Sequence, residues 1–332
     1  MNLFVFFVIS FVFSSLSSET ITKEIVNLEI NKSNFSEVKK SLENNCKSDN
    51  FFLNLQNHSS YPKFGTSKSW KKVCQKIFNN GISLSFIEKY FKILTFPKRG
   101  VLTGYYEPFI RISLNEDKKF RFPILKKSKD LEVERKKIKE IYKNKDVLYW
   151  TDSQIDLFFL QIQGSGIGVL KNGKKVMLKY QGHNNHKYTS IGGVLVANGY
   201  INKSKVSMFT IKNWLSNNPL VADKIMNQNQ RYIFFKKASY TPKSSIGAMG
   251  KILIAGTSIA IDNNLFPYGI PFVINTDDKK FNKIVISHDT GSAIRGYNRA
   301  DLFTGRGEEA EIMAGNLKKS LQLISLVPYN NN

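Results

Sequence analysis

Asp289-Thr-Gly-Ser-Ala-Ile-Arg-Gly296, followed by Asp301-Leu-Phe-Thr-Gly305, is the stretch whose reading decides the fold. It sets two carboxylates and three glycines directly after the strand-like run Ile284, Val285, Ile286. A third acid, Asp262, closes the apolar run Ser258-Ile-Ala-Ile261. Glycine lets the backbone come close to a ligand and take positive φ, and strands hold their side chains rigidly. Acids at strand ends beside glycine turns therefore read as an acid/base site on a β-barrel. The plainer account, that these aspartates only cap turns, suffices for any one of them but is weaker for the whole arrangement.

Bulk properties narrow the classes. The 332 residues suit one large or two medium domains, and 42% hydrophobic content suits a packed core. The net charge of +23 attracts polyanions such as nucleic acid, an anionic membrane or a cell-wall polymer. The lysines are scattered rather than striped, however, and the chain is generally rich in Lys, Asn, Ile and Phe. Compositional drift is therefore the preferred account of the charge. A nucleic-acid partner is set aside, because the basic segment 126–145 lacks interleaved aromatics. Leu3 to Phe13 is an apolar run ended by Ser14-Ser-Leu-Ser-Ser18. It fits a signal-peptide core better than a membrane span, so residues 1–18 are expected to direct export. Cys46 and Cys74 read either as a disulfide, which export permits, or as two buried thiols. His183 and His186 read as loop polar chemistry, and no metal is expected.

Along the chain, apolar spacing predicts helices over 34–45, 67–78 and 85–94, a layer packed on a sheet. Val101-Leu-Thr-Gly-Tyr-Tyr-Glu-Pro108 reads as a strand whose adjacent Tyr105 and Tyr106 point to opposite faces. Either ring could stack on a sugar, and Glu107 is a candidate second acid. Residues 126–145 read as a solvated helix. Asp156-Leu-Phe-Phe-Leu-Gln-Ile-Gln-Gly-Ser-Gly166 reads as a strand with Gln161 and Gln163 on one face, suited to sugar hydroxyls and acetamido groups. A hairpin turning at Asn172-Gly173 follows, then a helix over 194–198, another over 208–216 and a strand over 231–235. Strands at 258–261, 272–275 and 284–287 precede a last helix over 308–320.

These residues resemble the membrane-bound lytic murein transglycosylase A family, with its C-terminal three-aspartate domain. The matching segments are Leu102–Pro108, Phe158–Gly166, Tyr188–Gly192, Arg231–Phe235, Ser258–Asp262 and Asp289–Gly305, in the family's order. The resemblance implies a mainly β chain with peripheral helices. A double-psi β-barrel would be interrupted by a smaller inserted β domain, with a glycan groove between them. The expected organisation is a signal peptide over 1–18, an N-terminal helical part over 19–104, an insertion over 105–235 and the barrel completed over 236–332. Asp301 maps to the family's catalytic acid, and Asp289 and Asp262 to supporting acids. Thr103, Tyr105, Tyr106, Gln161, Gln163, Ser165, Ser190 and Gly291 are the candidate substrate-binding residues. Gly291-Ser292 stands where the family has Gly-Gly, and His183 where it has Gln. The lipobox cysteine of some family members is absent, so a lipid-anchored N-terminus is not supported, and peripheral outer-membrane association stays open, as does whether the signal is cleaved.

The implied reaction cleaves the β-1,4 bond from N-acetylmuramic acid to N-acetylglucosamine and closes a 1,6-anhydro ring. Ordinary glycosidases use two carboxylates. When the sugar's own 6-hydroxyl attacks, one carboxyl can serve as acid and then base, provided its pKa is raised. No cofactor is needed, and the expected partner is the peptidoglycan strand, met by a monomer in the periplasm. Two rivals are a hydrolase pairing Asp301 with Asp289 or Glu107, and a non-catalytic, expansin-like wall-binding module.

Overall fold

The computed structural model describes residues 30–241 and 245–329; the expected signal peptide, 1–18, lies outside them. Four helices come first: α1 (Phe35–Cys46), α2 (Asp49–Asn57), α3 (Ser67–Asn80) and α4 (Leu84–Tyr90). Thr66 caps α3, its Oγ1 accepting from the Ser69 N–H, and Gly81 ends it at positive φ. Their apolar faces bury Val38, Leu42, Phe51, Trp70 and Ile77 against the first sheet. A disulfide joins Cys46 at the end of α1 to Cys74 within α3.

That sheet contains β1 (Phe91–Leu94), β2 (Gly100–Glu107), β9 (Ser258–Ile261), β10 (Pro271–Thr276), β11 (Lys283–Thr290), β12 (Arg299–Arg306) and β13 (Lys318–Pro328). Its order is β1-β13-β10-β11-β9-β12-β2, and β13 also pairs with β2. Six strands thus close into a barrel with β1 appended outside, the double-psi class the resemblance implies. The ring mixes parallel pairs, β11 with β9 and β12 with β2, with antiparallel ones. Gly100 lets β2 meet the turn before β12: a Cβ there would lie 1.9 Å from the Asn298 carbonyl oxygen.

Between β2 and β9 the chain builds a second sheet, ordered β4-β5-β3-β6-β7-β8. Its strands are β3 (Phe109–Ser113), β4 (Phe122–Leu125), β5 (Val147–Thr151), β6 (Gly166–Leu170), β7 (Lys175–His183) and β8 (Ile233–Ser239). Helices α5 (Arg135–Ile141), α6 (Gln154–Gln163), α7 (Ile191–Ala197), α8 (Met208–Asn217) and α9 (Pro219–Met226) surround it. The last helix, α10 (Gly307–Asn316), packs on β2 and β12 of the barrel.

Several elements differ from the sequence reading. Residues 154–163 form a helix, not a strand. Ser153 caps it by accepting from the Asp156 N–H, Gly164 closes it at φ +81°, and Phe158, Leu160 and Gln161 are buried. A short apolar run cannot by itself distinguish a buried helix from a buried strand. The expected helix 308–320 stops at Asn316, and the next residues are β13, the longest strand. Strands flank β13 on both sides, so its burial is nearly continuous and the alternation that marks a half-exposed strand fades. The expected helix 85–94 stops at Tyr90 because Phe91–Leu94 pair with the far end of β13. Helices α2 and α9 were not anticipated; Pro219 is the first residue of α9, where its missing N–H costs nothing. The basic segment 126–145, expected as one solvated helix, is broken into the short α5 and flanking 3-10 turns at 129–131 and 144–146, and Arg135 and Ile138 are buried.

The disulfide spans 28 residues of chain. Replacing both cysteines with alanine is expected to lower stability by roughly 3–4 kcal/mol, chiefly by freeing the unfolded chain. Denaturant unfolding of the double variant measures this; an unchanged midpoint would show that helix packing alone orders the loop.

Candidate active site

β12 presents Asp301 between two neighbours, in register with Thr103 of β2 and Ala260 of β9. Thr103 Oγ1 donates to Asp301 Oδ1 at 2.5 Å. Burial pushes the Asp301 pKa above the ordinary carboxylate range, opposed by the Arg299 charge and the Thr103 hydroxyl. Asp289 ends β11. Its Oδ1 accepts from the Ala248 and Thr290 N–H groups, both at 2.9 Å, and its Oδ2 from the Tyr105 hydroxyl at 2.8 Å. Burial outweighs those three donors and lifts the Asp289 pKa to about 6, with the Asp301 charge adding a little. Tyr105 feels both acids: burial first, then Asp289, then Asp301 push its phenol upward.

Asp262 has a different task. It is 5% exposed; its Oδ2 accepts from the Gly296 N–H and its Oδ1 from Asn264 N–H and Arg295. These contacts fix the loop running from Asp289 to β12. Glu107 is also occupied. Oε1 accepts from the Ser165 hydroxyl, and Oε2 from Arg306 at 2.9 Å and from the Ser245 hydroxyl.

A groove of about 710 Å³ runs between the two sheets, lined from the barrel by Asp289, Thr290, Gly291, Ser292 and Arg295. Gln161, Gln163, Ser165, Lys179, Arg231 and Lys236 line it from the insertion. Asp301, Tyr105 and Tyr188 are not among the residues that line this space; Asp301 is linked to it through Tyr105, whose hydroxyl donates to Asp289 on the barrel wall. Burial raises the Tyr188 phenol, and the Asp301 charge raises it further. The Ser190 hydroxyl caps α7. Gln161 lies on α6 and accepts from Arg135, and Gln163 accepts from the Tyr106 N–H at 3.1 Å. Tyr106 turns away: its ring is 1% exposed, packed with Ala310 and Ala314 under α10.

The sequence reading did not single out Tyr188, the Ala248 N–H or the cations of the insertion wall. The Ala248 contact is made by backbone and leaves no side-chain signal. Tyr188 lay inside a segment already marked, and its aromatic ring beside Ser190 was the available clue.

Two families match this chain, the MltA specific insert domain over 132–236 and the 3D domain over 257–327. A membrane-bound lytic murein transglycosylase A homolog of Buchnera aphidicola is 30% identical over 68% of this chain and 67% of its own. A membrane-bound lytic murein transglycosylase structure from Agrobacterium tumefaciens superposes with TM-score 0.77 at 25% identity, covering 88% of this chain and 92% of that one. The Escherichia coli MltA structure with bound chitohexaose shares the fold at TM-score 0.71 and 23% identity, covering 89% and 90%.

The raised Asp289 pKa makes a stability prediction. The unfolded chain releases this proton near 3.8 and the folded one near 6. The folded state is therefore the better proton binder across that window, and the contribution of Asp289 to stability falls as pH rises through it. Asp289→Asn removes this titration. The melting-temperature advantage of wild type over the variant is expected to be largest near pH 4, to shrink toward pH 6 and then to level off. A difference that grows with pH would contradict the assignment.

Proposed function

The chain belongs to the membrane-bound lytic murein transglycosylase A family, and from that membership and the groove geometry we propose that it is a lytic murein transglycosylase using Asp301 as its single acid/base. One observation carries the choice of Asp301. Of the four carboxylates around the groove, Asp262, Asp289 and Glu107 have both oxygens engaged by donors. Among the described residues, Asp301 accepts one hydrogen bond, on Oδ1. Oδ2 is left to exchange a proton with substrate.

In this reading, Asp301 starts protonated, as its raised pKa favours. Oδ2 gives its proton to the glycosidic oxygen as the bond from the muramic anomeric carbon breaks. The 6-hydroxyl of the same sugar then closes on that carbon and returns its proton to Oδ2, which restores the acid and leaves the 1,6-anhydro ring. Proton transfer of this kind is worth roughly 10²–10⁴-fold. Thr103 holds the carboxyl in orientation. Asp289, near its pKa at neutral pH, places negative charge close to the developing oxocarbenium ion. Tyr105 and Tyr188 border the reacting sugar, and Gln161, Gln163, Ser165 and Gly291 line the surrounding groove. The two-carboxylate hydrolase has weaker support, because every oxygen of Asp289 and Glu107 already accepts a hydrogen bond, which weakens it as a base toward water. The family's membrane-bound members support export to the periplasm, with peripheral outer-membrane association part of the same proposal.

Asp301→Asn is expected to end release of anhydro-muropeptides from purified sacculi while the melting temperature stays near wild type. Mass spectrometry reads this directly, since anhydro ends are one water lighter than hydrolysed ends. Products carrying the extra water, or an undiminished yield, would overturn the reading. Thr103→Val removes a donor that stabilises the charged form of Asp301, so the Asp301 pKa should rise further. The alkaline limb of the kcat/KM profile is then expected to move to higher pH; a move to lower pH would separate Thr103 from the acid.

A further inference from the structure

The groove has two unlike walls. The barrel contributes Asp289, tied by three donors, and Arg295, paired with Asp262 at 3.3 Å. The insertion contributes Lys179, Lys236 and Arg231, none within ion-pair distance of a carboxylate among the described residues. Lys179 on β7 stands directly opposite Lys236 on β8, and the two face the same groove. Like charges in directly opposed positions repel and weaken a strand pair. Arg231 precedes β8; its Nη1 donates to the His186 carbonyl at 3.2 Å, and its Nε is buried with no acceptor. Burial pulls the Arg231 pKa down, Tyr180 pulls it up, and the Arg295 charge pulls it down again, so the two arginines share one field.

A bare amino-sugar backbone is uncharged and gives such a wall nothing to pair with. Charge on a murein strand sits on the muramic substituents, as carboxylates. We infer that Lys179, Lys236 and Arg231 form a carboxylate-binding wall that recognises the peptide stems carried by the glycan strand, which makes peptide-bearing strands the preferred substrate. This rests on the proposed function and deepens it. The lysine pair is placed to meet carboxylates projecting from a strand held along the barrel wall, and the Arg231 guanidinium adds a third positive charge to the same wall.

The test compares peptide-bearing murein strands with the same strands stripped by an amidase, which leaves only lactyl carboxylates. Wild type and the K179Q/K236Q variant are assayed for anhydro-product release on both. The variant's KM is expected to rise about tenfold on peptide-bearing strands and much less on stripped ones, as loss of two partly exposed ion pairs implies. The wild-type preference should weaken with added salt, and K179R/K236R should restore it. Chitohexaose, a neutral glycan, should bind wild type and variant alike, which checks that the groove is intact. Equal KM rises on both strands would move the cations to the lactyl carboxylate and overturn the peptide assignment. No rise on either would overturn the wall altogether. If wild type releases no anhydro product from either strand, the proposed function fails instead. Binding of the two strand types to wild type and variant, followed by co-sedimentation, then decides the inference separately.

Discussion

The placement of β12 is the constraint on which the rest depends. It pairs in parallel with β2 and antiparallel with β9, so Asp301 is fixed by ladders on both sides. No loop movement is needed to bring Thr103 to it, because strand register does so. The same closure places Asp289, at the end of β11, beside Tyr105, which is two residues after Thr103 and faces the same way along β2. A barrel can hold several acids close together because rigid backbone supplies the repulsion-resisting frame. Solvent alone would let such acids spread apart.

That frame assigns different work to chemically identical groups. Asp262 is consumed in holding a loop, Asp289 is saturated by two N–H groups and a phenol, and Glu107 is locked to Arg306. Burial raises both Asp289 and Asp301, but only Asp301 combines a raised pKa with an unoccupied oxygen among the described residues. The division of labour lies in donor placement, which sequence alone does not display.

Much of the barrel, and one hairpin of the insertion, was legible because the signals are local. The glycine turns around Asp289 and Asp301, the short apolar runs at 258–261 and 284–287, and the Asn172-Gly173 hairpin each declare themselves within a few residues. What could not be read depends on distant partners. β13 lies among other strands, so its two faces are buried alike, and β1 was invisible once β13 was. Residues 154–163 carried an apolar run that fits either periodicity, and the decision fell to Ser153 and Gly164 at its ends. The carboxylates themselves could be listed from sequence. Their hydrogen-bond loads, and the backbone donation from Ala248, appear only in three dimensions.

The chain passes between the two sheets twice, leaving β2 after Glu107 and returning through the segment that contains Ser245. Both passages meet on one guanidinium at the far end of β12: Arg306 grips Glu107 and Ser245 together, and Ser165 of the insertion joins from the other side. A second fastening lies on α8 of the insertion, where Lys212 Nζ donates to Glu311 of α10 at 2.6 Å. Arg306 ends β12 and α10 follows it directly, so the strand that carries the acid also leads into both points by which the insertion is held to the barrel.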